Sequence, residues 1–371
     1  MADLAKYLHE DRSMSLLGEE IKKLIRLEGP ISVERYMTMA LSDPRYGYYM
    51  TRDPFGAKGD FTTSPEISQI FGELLGLWCA DLWLRMGRPT SVSLVELGPG
   101  RGTLMQDALR AMKSIKGLLS SVQIILVETS PTLRKAQQKT LESFDLPIQW
   151  QSDVSSLPQL PTLLIANEFF DALPIRQYQR KDEKWHERLV GLNEQGNLIL
   201  GLAPEAKAAI EIIANEGSVI ERNLIGERIM HQLALHIMQY GGAGIAIDYG
   251  HTQSGVGETL QALRDHQFVS PLDEPGEADL TTHVDFKRLL DIAQSQGNAV
   301  SGPITQADFL EAMGIRQRGQ SLIKSANSDQ AKAIISAIDR ITDRSPKQMG
   351  SLFKVMSFYH PKMPEPAGFN K

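Results

Sequence analysis

Strand-length apolar runs alternate with polar, helix-prone stretches through the middle of the chain, and this order predicts an open, doubly wound parallel sheet. The runs are Ser93 to Glu96, Val122 to Val127, Ile148 to Gln151 and Thr162 to Ala166, with a fifth at Gly244 to Tyr249. Ahead of them, Leu16, Leu17, Ile21, Leu24 and Ile25 fall at helical spacing between Lys22, Lys23 and Arg26. That spacing predicts an amphipathic helix over Leu16 to Leu27, ended by Gly29 and Pro30. Ser32 is placed to cap a second helix over Arg35 to Leu41, and a long apolar helix is expected from Glu66 to Met86.

After the fourth run the pattern changes. Trp185 to Leu202 reads as an antiparallel hairpin around the turn residues Asn193 to Asn197, Pro204 to Asn223 as largely helical, and Leu224 to Tyr240 as a further helix. The stretch from about Lys181 to Leu224 is thus expected to be an insertion, suited to recognising an acceptor. Gln253 to Asp279 is rich in Gly, Pro, Asp and Glu and reads as a long loop, a class more often functional than idle. Thr282 is expected to cap a helix running from near His283 to about Gln296. The resulting division is 1–90 arm and lid, 91–180 first half of the core, 181–243 inserted subdomain, 244–360 second half, and 361–371 tail.

The candidate chemistry gathers where these runs end. The first ends in Glu96 and breaks into Gly98, Gly100 and Gly102, a turn whose backbone can approach a ligand while the next helix points free amides at it. Taken alone, Pro99 and Arg101 would also fit an ordinary tight loop, the lesser of the two readings. The second run ends in Glu128, a carboxylate suited to the two hydroxyls of a ribose. The spacing G-x-G-x-G differs from the G-x-G-x-x-G of dinucleotide sites, which favours S-adenosylmethionine over NAD. Asp153 follows the third run and either accepts from an adenine amine or merely caps a turn. The fourth leads into Asn167, Glu168, Phe169, Phe170 and Asp171, polar and aromatic groups at a carboxyl edge where ligands bind in parallel sheets. His251 and His283 read best as hydrogen-bonded structural residues, with no metal-ligand spacing around them.

Composition narrows the class. With 42% hydrophobic and 23% charged residues over 371 positions, the chain has core enough to fold alone. A net charge of -6 without a long basic run disfavours nucleic acid as a partner. The single cysteine, Cys79, excludes an intrachain disulfide and reads as a buried thiol. The N-terminal MADLAKYLHEDRSM lacks a signal-peptide pattern and no run is long enough to cross a membrane, so a bacterial cytoplasmic protein is expected.

Five separated strings, GDFTTSPEISQIFGE, VELGPGRGTLMQDALR, NEFFDALPI, DYGH and MGSLFKVM, together resemble the MidA-like family. Its eukaryotic member is a mitochondrial complex I assembly factor acting as a protein arginine methyltransferase. The resemblance implies a class I S-adenosylmethionine-dependent methyltransferase fold, Rossmann-like, with an antiparallel edge strand at Leu352 to Tyr359. It also implies a protein acceptor, a respiratory-complex subunit being the expectation, and allows a homodimer. The loop before the apolar helix then becomes a lid, with Asp60 or Thr63 touching the methionine end of the cofactor. Glu168 and Asp171 become the candidate catalytic acids, while Glu96, Gly98, Gly100, Gly102, Glu128, Asp153 and Asn167 become cofactor contacts. The competing readings are an RNA or small-molecule N-methyltransferase, a methyltransferase fold kept as an assembly chaperone, and a nicotinamide-dependent oxidoreductase.

Overall fold

The computed structural model describes residues 15–51, 63–206 and 210–369. Seven strands form its centre: β1 (Val92–Leu97), β2 (Val122–Val127), β3 (Ile148–Gln151), β4 (Thr162–Asn167), β5 (Gly242–His251), β6 (Ala299–Thr305) and β7 (Phe353–Tyr359). They lie in the order β6-β7-β5-β4-β1-β2-β3, with the short strand Val284–Asp285 added beside the end of β5. The five strands from β5 to β3 are mutually parallel, and β1 and β4 are buried at every position, as a sheet covered on both faces demands.

The last strand is antiparallel, but it is not at the edge. β7 lies between β5 and β6 and pairs antiparallel with both, so the edge falls to β6. With helices on both faces of the sheet, an interior strand is enclosed on both, and β7 is buried at all but one position. Gly244 on β5 has room only for hydrogen where the Phe358 ring of β7 crosses it, since a Cβ there would lie 2.4 Å from the ring.

Helices cover both faces. On one, Gln69–Arg85 packs against Thr103–Met112 and brings Phe71, Trp78, Leu109 and Cys79 into a core with Leu94, Ile124, Ile165 and Ile245 of the sheet. On the other, Leu224–Tyr240 and Phe286–Ser295 bury Met230, Leu233, Phe286 and Leu289. The apolar helix expected from Glu66 is interrupted: Ser64–Ile67 is a separate turn, and Ser68 adopts extended backbone before its hydroxyl accepts from Ile70 N (3.3 Å) to restart the helix. The cap expected of Thr282 belongs to Asp285, whose carboxylate accepts from Arg288 N (3.0 Å), and the helix begins at Phe286.

The inserted part is a sheet with no helix among its described residues. It begins at Arg176–Lys181, earlier than expected, and continues through Lys184–Leu192, Leu198–Ala206 and Val219–Arg222. The stretch read as helical thus supplies two strand segments, because Val219–Arg222 pairs with Arg176–Gln179 and the second hairpin strand runs on to Ala206. Ile31–Ser32, between the arm helices Leu16–Glu28 and Val33–Ser42, joins the same sheet against Val190 and Leu189. The long loop after β5 likewise contains strands, Gln261–Arg264, Gln267–Val269 and Asp279–Thr281.

Gly76 fixes the tightest helix contact near the core. A Cβ there would stand 2.4 Å from the Ala108 carbonyl oxygen. Gly76→Val is expected to destabilise the fold by about 3 kcal/mol or more through overpacking, measured by urea denaturation.

Candidate functional site

The carboxyl ends of β1, β2, β4 and β5 open onto one cleft, as the topology of parallel sheets requires. Its larger compartment, about 190 Å³, lies between Tyr49, Glu128, Phe169, Asp171, Tyr249 and Asp279. A smaller compartment of about 40 Å³ lies between Glu66, Glu96, Arg101 and Asn167. Thr63, Gly98, Gly100 and Glu168 border both, so the two are halves of one site.

The turn after β1 is built on left-handed backbone. Gly98, Gly100 and Gly102 have φ of 58°, 53° and 84°, and Gly102 opens the helix Thr103–Met112. Thr103 Oγ1 donates to Glu66 Oε1 at 2.6 Å, tying that helix to the turn Ser64–Ile67. Glu96 is buried at the end of β1, and burial pushes its carboxyl up to about 8. Its Oε2 finds no partner among the described residues.

Glu128, at the end of β2, accepts from Ser130 N (2.8 Å) and Gln137 Nε2 (3.2 Å). Burial raises its pKa against those bonds. Gln137 was not singled out by sequence, yet it organises this corner. Its Nε2 also donates to Gly100 O (2.7 Å), while its Oε1 accepts from Trp150 Nε1 (2.8 Å). A glutamine in the middle of a helix carries no local signal of such a role.

The loop after β4 is held from three directions. Asp248 Oδ2, at the end of β5, accepts from the amides of Phe169 (3.2 Å), Phe170 (3.0 Å) and Asp171 (3.2 Å). Asn223 Nδ2 donates to Phe170 O (2.9 Å), and Thr282 N to Asp171 O (3.0 Å). Glu168 is pinned in a left-handed conformation, φ 51°, where its Oε1 accepts from Asn167 Nδ2 (3.1 Å) and Ser64 N (3.2 Å). Burial, reinforced by the nearby Asp171, pushes the Glu168 carboxyl up to about 8. Burial also lifts Asp171 to about 6, and Asp248 is raised by burial and by its two acidic neighbours.

Opposite this loop stand two tyrosines. Tyr49 Oη, from the N-terminal arm, donates to both carboxylate oxygens of Asp279 at 2.9 Å. Tyr249, directly after Asp248, sets its ring edge-on to His283 at 5.6 Å and to Phe353 at 5.4 Å. His251 Nδ1 pairs with Gln253 O at 2.7 Å, and burial lowers the pKa of His283.

Among the sequence candidates, Thr63, Glu96, Gly98, Gly100, Glu128, Asn167, Glu168 and Asp171 line the cleft. Gly102 shapes the turn from behind, 3.4 Å from the Gln137 backbone by its missing Cβ. Asp153 does not join them: it is exposed, and its carboxylate caps the short turn Val154–Ser156 by accepting from Ser155 N (2.7 Å) and Ser155 Oγ, which lowers its pKa. Asp60 lies outside the described residues. No cluster of His, Cys, Asp or Glu among the described residues is arranged to hold a metal ion.

A family of S-adenosyl-L-methionine-dependent methyltransferases matches residues 74–304. Protein arginine methyltransferase NDUFAF7, mitochondrial, of Danio rerio is 37% identical over 379 residues, covering 92% of this chain and 86% of its own. The Drosophila melanogaster homologue of the same name is 37% identical over 92% of this chain and 84% of its own. The chain belongs to this methyltransferase family.

Its fold agrees with that membership. A Burkholderia thailandensis protein solved with bound S-adenosyl-homocysteine superposes with a TM-score of 0.78 at 25% identity, over 96% of this chain and 92% of that one. The cofactor of this methyltransferase is S-adenosyl-L-methionine. The cleft fits it: Glu96 Oε2 and Asn167 Oδ1 are buried acceptors without partners among the described residues, Glu128 has a carboxylate at the end of β2, and the turn between them exposes glycine backbone.

At Gly98 a side chain would meet both left-handed strain and the Phe169 ring, 3.0 Å from the added Cβ. Gly98→Ala is expected to weaken S-adenosylmethionine binding by about tenfold, the cost of roughly 1–2 kcal/mol of backbone strain. Calorimetric titration beside an unchanged circular-dichroism spectrum checks this.

Proposed function

We propose that this methyltransferase modifies an arginine side chain of a protein acceptor, with Glu168 and Asp171 as its catalytic acids. The observation that carries the reading is the larger compartment. Beyond Glu128, which marks its ribose end, Glu168, Asp171 and Asp279 face it, Tyr49, Phe169 and Tyr249 wall it, and no lysine or arginine stands among its described lining residues. Such a slot suits a flat cation: carboxylates hold its N–H groups in pairs, and aromatic faces bound its plane. The curated relatives carry the name protein arginine methyltransferase, which supports the same acceptor.

The cofactor supplies an activated methyl group, so the residues of the chain have to position, desolvate and balance charge. On this reading Glu128 takes the ribose hydroxyls, while Glu96 and Asn167 take the methionine ammonium. Thr63 borders that end. Asp171, raised to about 6, orients the guanidinium and accepts the proton lost when the new N–C bond forms. Phe169 and Phe170, edge-to-face at 5.3 Å, keep water from the reacting nitrogen. The insertion Arg176–Arg222, beside the cleft, would receive the acceptor chain. A respiratory-complex subunit is the proposed acceptor, the bacterial cytoplasm the proposed location, and a homodimer the proposed assembly; no described helix is long and apolar enough to cross a membrane.

The test is transfer of labelled methyl groups to protein, RNA and small-molecule fractions, followed by mass spectrometry of the product. Label on arginine is the expected outcome, and label confined to RNA or metabolites would overturn the acceptor. Asp171→Asn is expected to lower kcat by roughly 10²–10⁴-fold while cofactor affinity holds within about threefold, since the acid acts on the acceptor.

A further inference from the structure

Thr63, Gly98, Gly100 and Glu168 are the residues common to the two compartments, and Glu168 is the ionisable one of the four. That point has a counterpart in the cofactor. S-adenosylmethionine carries its one sulfonium charge where the methionine chain meets the ribose, the place that must lie between a methionine compartment and a ribose compartment. S-adenosylhomocysteine has the same chain, ribose and adenine, but no methyl group and no charge there.

The surroundings of Glu168 are strongly acidic. On its own loop lies Asp171, and Asp248 reaches in from β5. Glu96, Glu128 and Asp279 line the two compartments, Glu66 stands on the lid turn, and Tyr49 and Tyr249 close the far wall. Arg101, at the outer end of the smaller compartment, is the cation among the described lining residues. The two direct donors to the Glu168 carboxylate, Asn167 Nδ2 and Ser64 N, are both neutral. A buried carboxylate so placed gains charge readily only when a cation arrives beside it.

We propose that Glu168 discriminates cofactor from product by charge, binding as carboxylate beside the sulfonium and as neutral acid beside the thioether. Methyl transfer then weakens the site's hold on its own product. The proton balance closes, because the acceptor nitrogen releases one proton to Asp171 as it gains the methyl group, and Glu168, in the same acidic cluster, takes up one as the sulfonium charge disappears. The raised proton affinity of Glu168 supplies the pH window. Below a pH of about 8 the free protein holds Glu168 neutral, so binding the sulfonium form releases a proton and tightens as pH rises; above it the affinity levels off. Binding of the thioether form lacks this slope, and the α-ammonium of each ligand, more acidic in the sulfonium form, is titrated on the free ligand and subtracted.

The inference rests on the cofactor and not on the arginine acceptor, so either can fail alone. Calorimetric titration of the full chain with S-adenosylmethionine and with S-adenosylhomocysteine, from pH 6 to 8.5 and in two buffers of different ionisation enthalpy, tests it. The affinity ratio of the two ligands is expected to rise by about tenfold or more across this range, with a limit of roughly tenfold per unit for one proton. Proton release is expected with the sulfonium ligand alone. In Glu168→Gln, which keeps the shape and both donors' partner atom, the ratio is expected to be flat while S-adenosylhomocysteine still binds. Equal proton counts for the two ligands in the wild type would overturn the proposal, and so would a slope that survives in the variant.

Discussion

One carboxylate oxygen, Asp248 Oδ2, holds three successive amides of the loop after β4. Those amides belong to Phe169, Phe170 and Asp171, so a single anchor at the end of β5 decides where both candidate acids and both aromatic walls stand. The strained backbone at Glu168 persists only because this anchor, together with Asn223 and Thr282, over-determines it. By holding Asp171 and Glu168 beside itself the anchor also gathers three buried acids, and Asp171 raises the proton affinity of both Glu168 and Asp248. Position and proton affinity of the site thus come from the same contact.

The sheet supplies the frame for that anchor. β4 and β5 are adjacent and parallel, with Asn167 in register with Ile247, so the residues just beyond each are brought side by side. β1 and β2 do the same for the glycine turn and Glu128, linked through Gln137. Each half of the cleft is therefore a pair of neighbouring strand ends. Glu168 sits where the halves meet.

Much of this was legible in the sequence because it is local. A strand ending in an acid, a glycine turn and a following helix are contiguous, and Glu96 to Gly102 could be read directly. The residues missed are those that arrive through space: Tyr49 from the arm, Asp279 from a loop that contains strands, Asp248 as an anchor, and Gln137 from the middle of a helix. Asp153 shows the opposite failure, since a carboxylate after a strand satisfied by its own turn looks the same in sequence as one aimed at a ligand. The insertion was misread in part because Pro204 to Asn223 has helix-forming composition, while pairing with Arg176–Gln179 makes its end a strand. β7 could be recognised as a strand, but its interior place depends on β6, which packs against it across a bulge.

The N-terminal arm has few anchors of its own. Ser15 Oγ donates to Pro275 O (2.8 Å), Tyr36 Oη to Pro271 O (2.6 Å), and Tyr49 Oη to Asp279, partners that lie more than two hundred positions downstream. During synthesis the arm is made before all of these, and although Ile31 and Ser32 can already pair with Val190 and Leu189, its partners at Pro271, Pro275 and Asp279 are made only in the last third of the chain. Of the cover over Leu17, Ile21, Tyr36 and Met37, Ile175 and Val190 come early, but Ala262, Ala278 and Leu280 arrive only then. The roof of the active cleft is therefore an early product and a late fold, and the nascent chain depends on whatever shields that face until residue 280 has emerged.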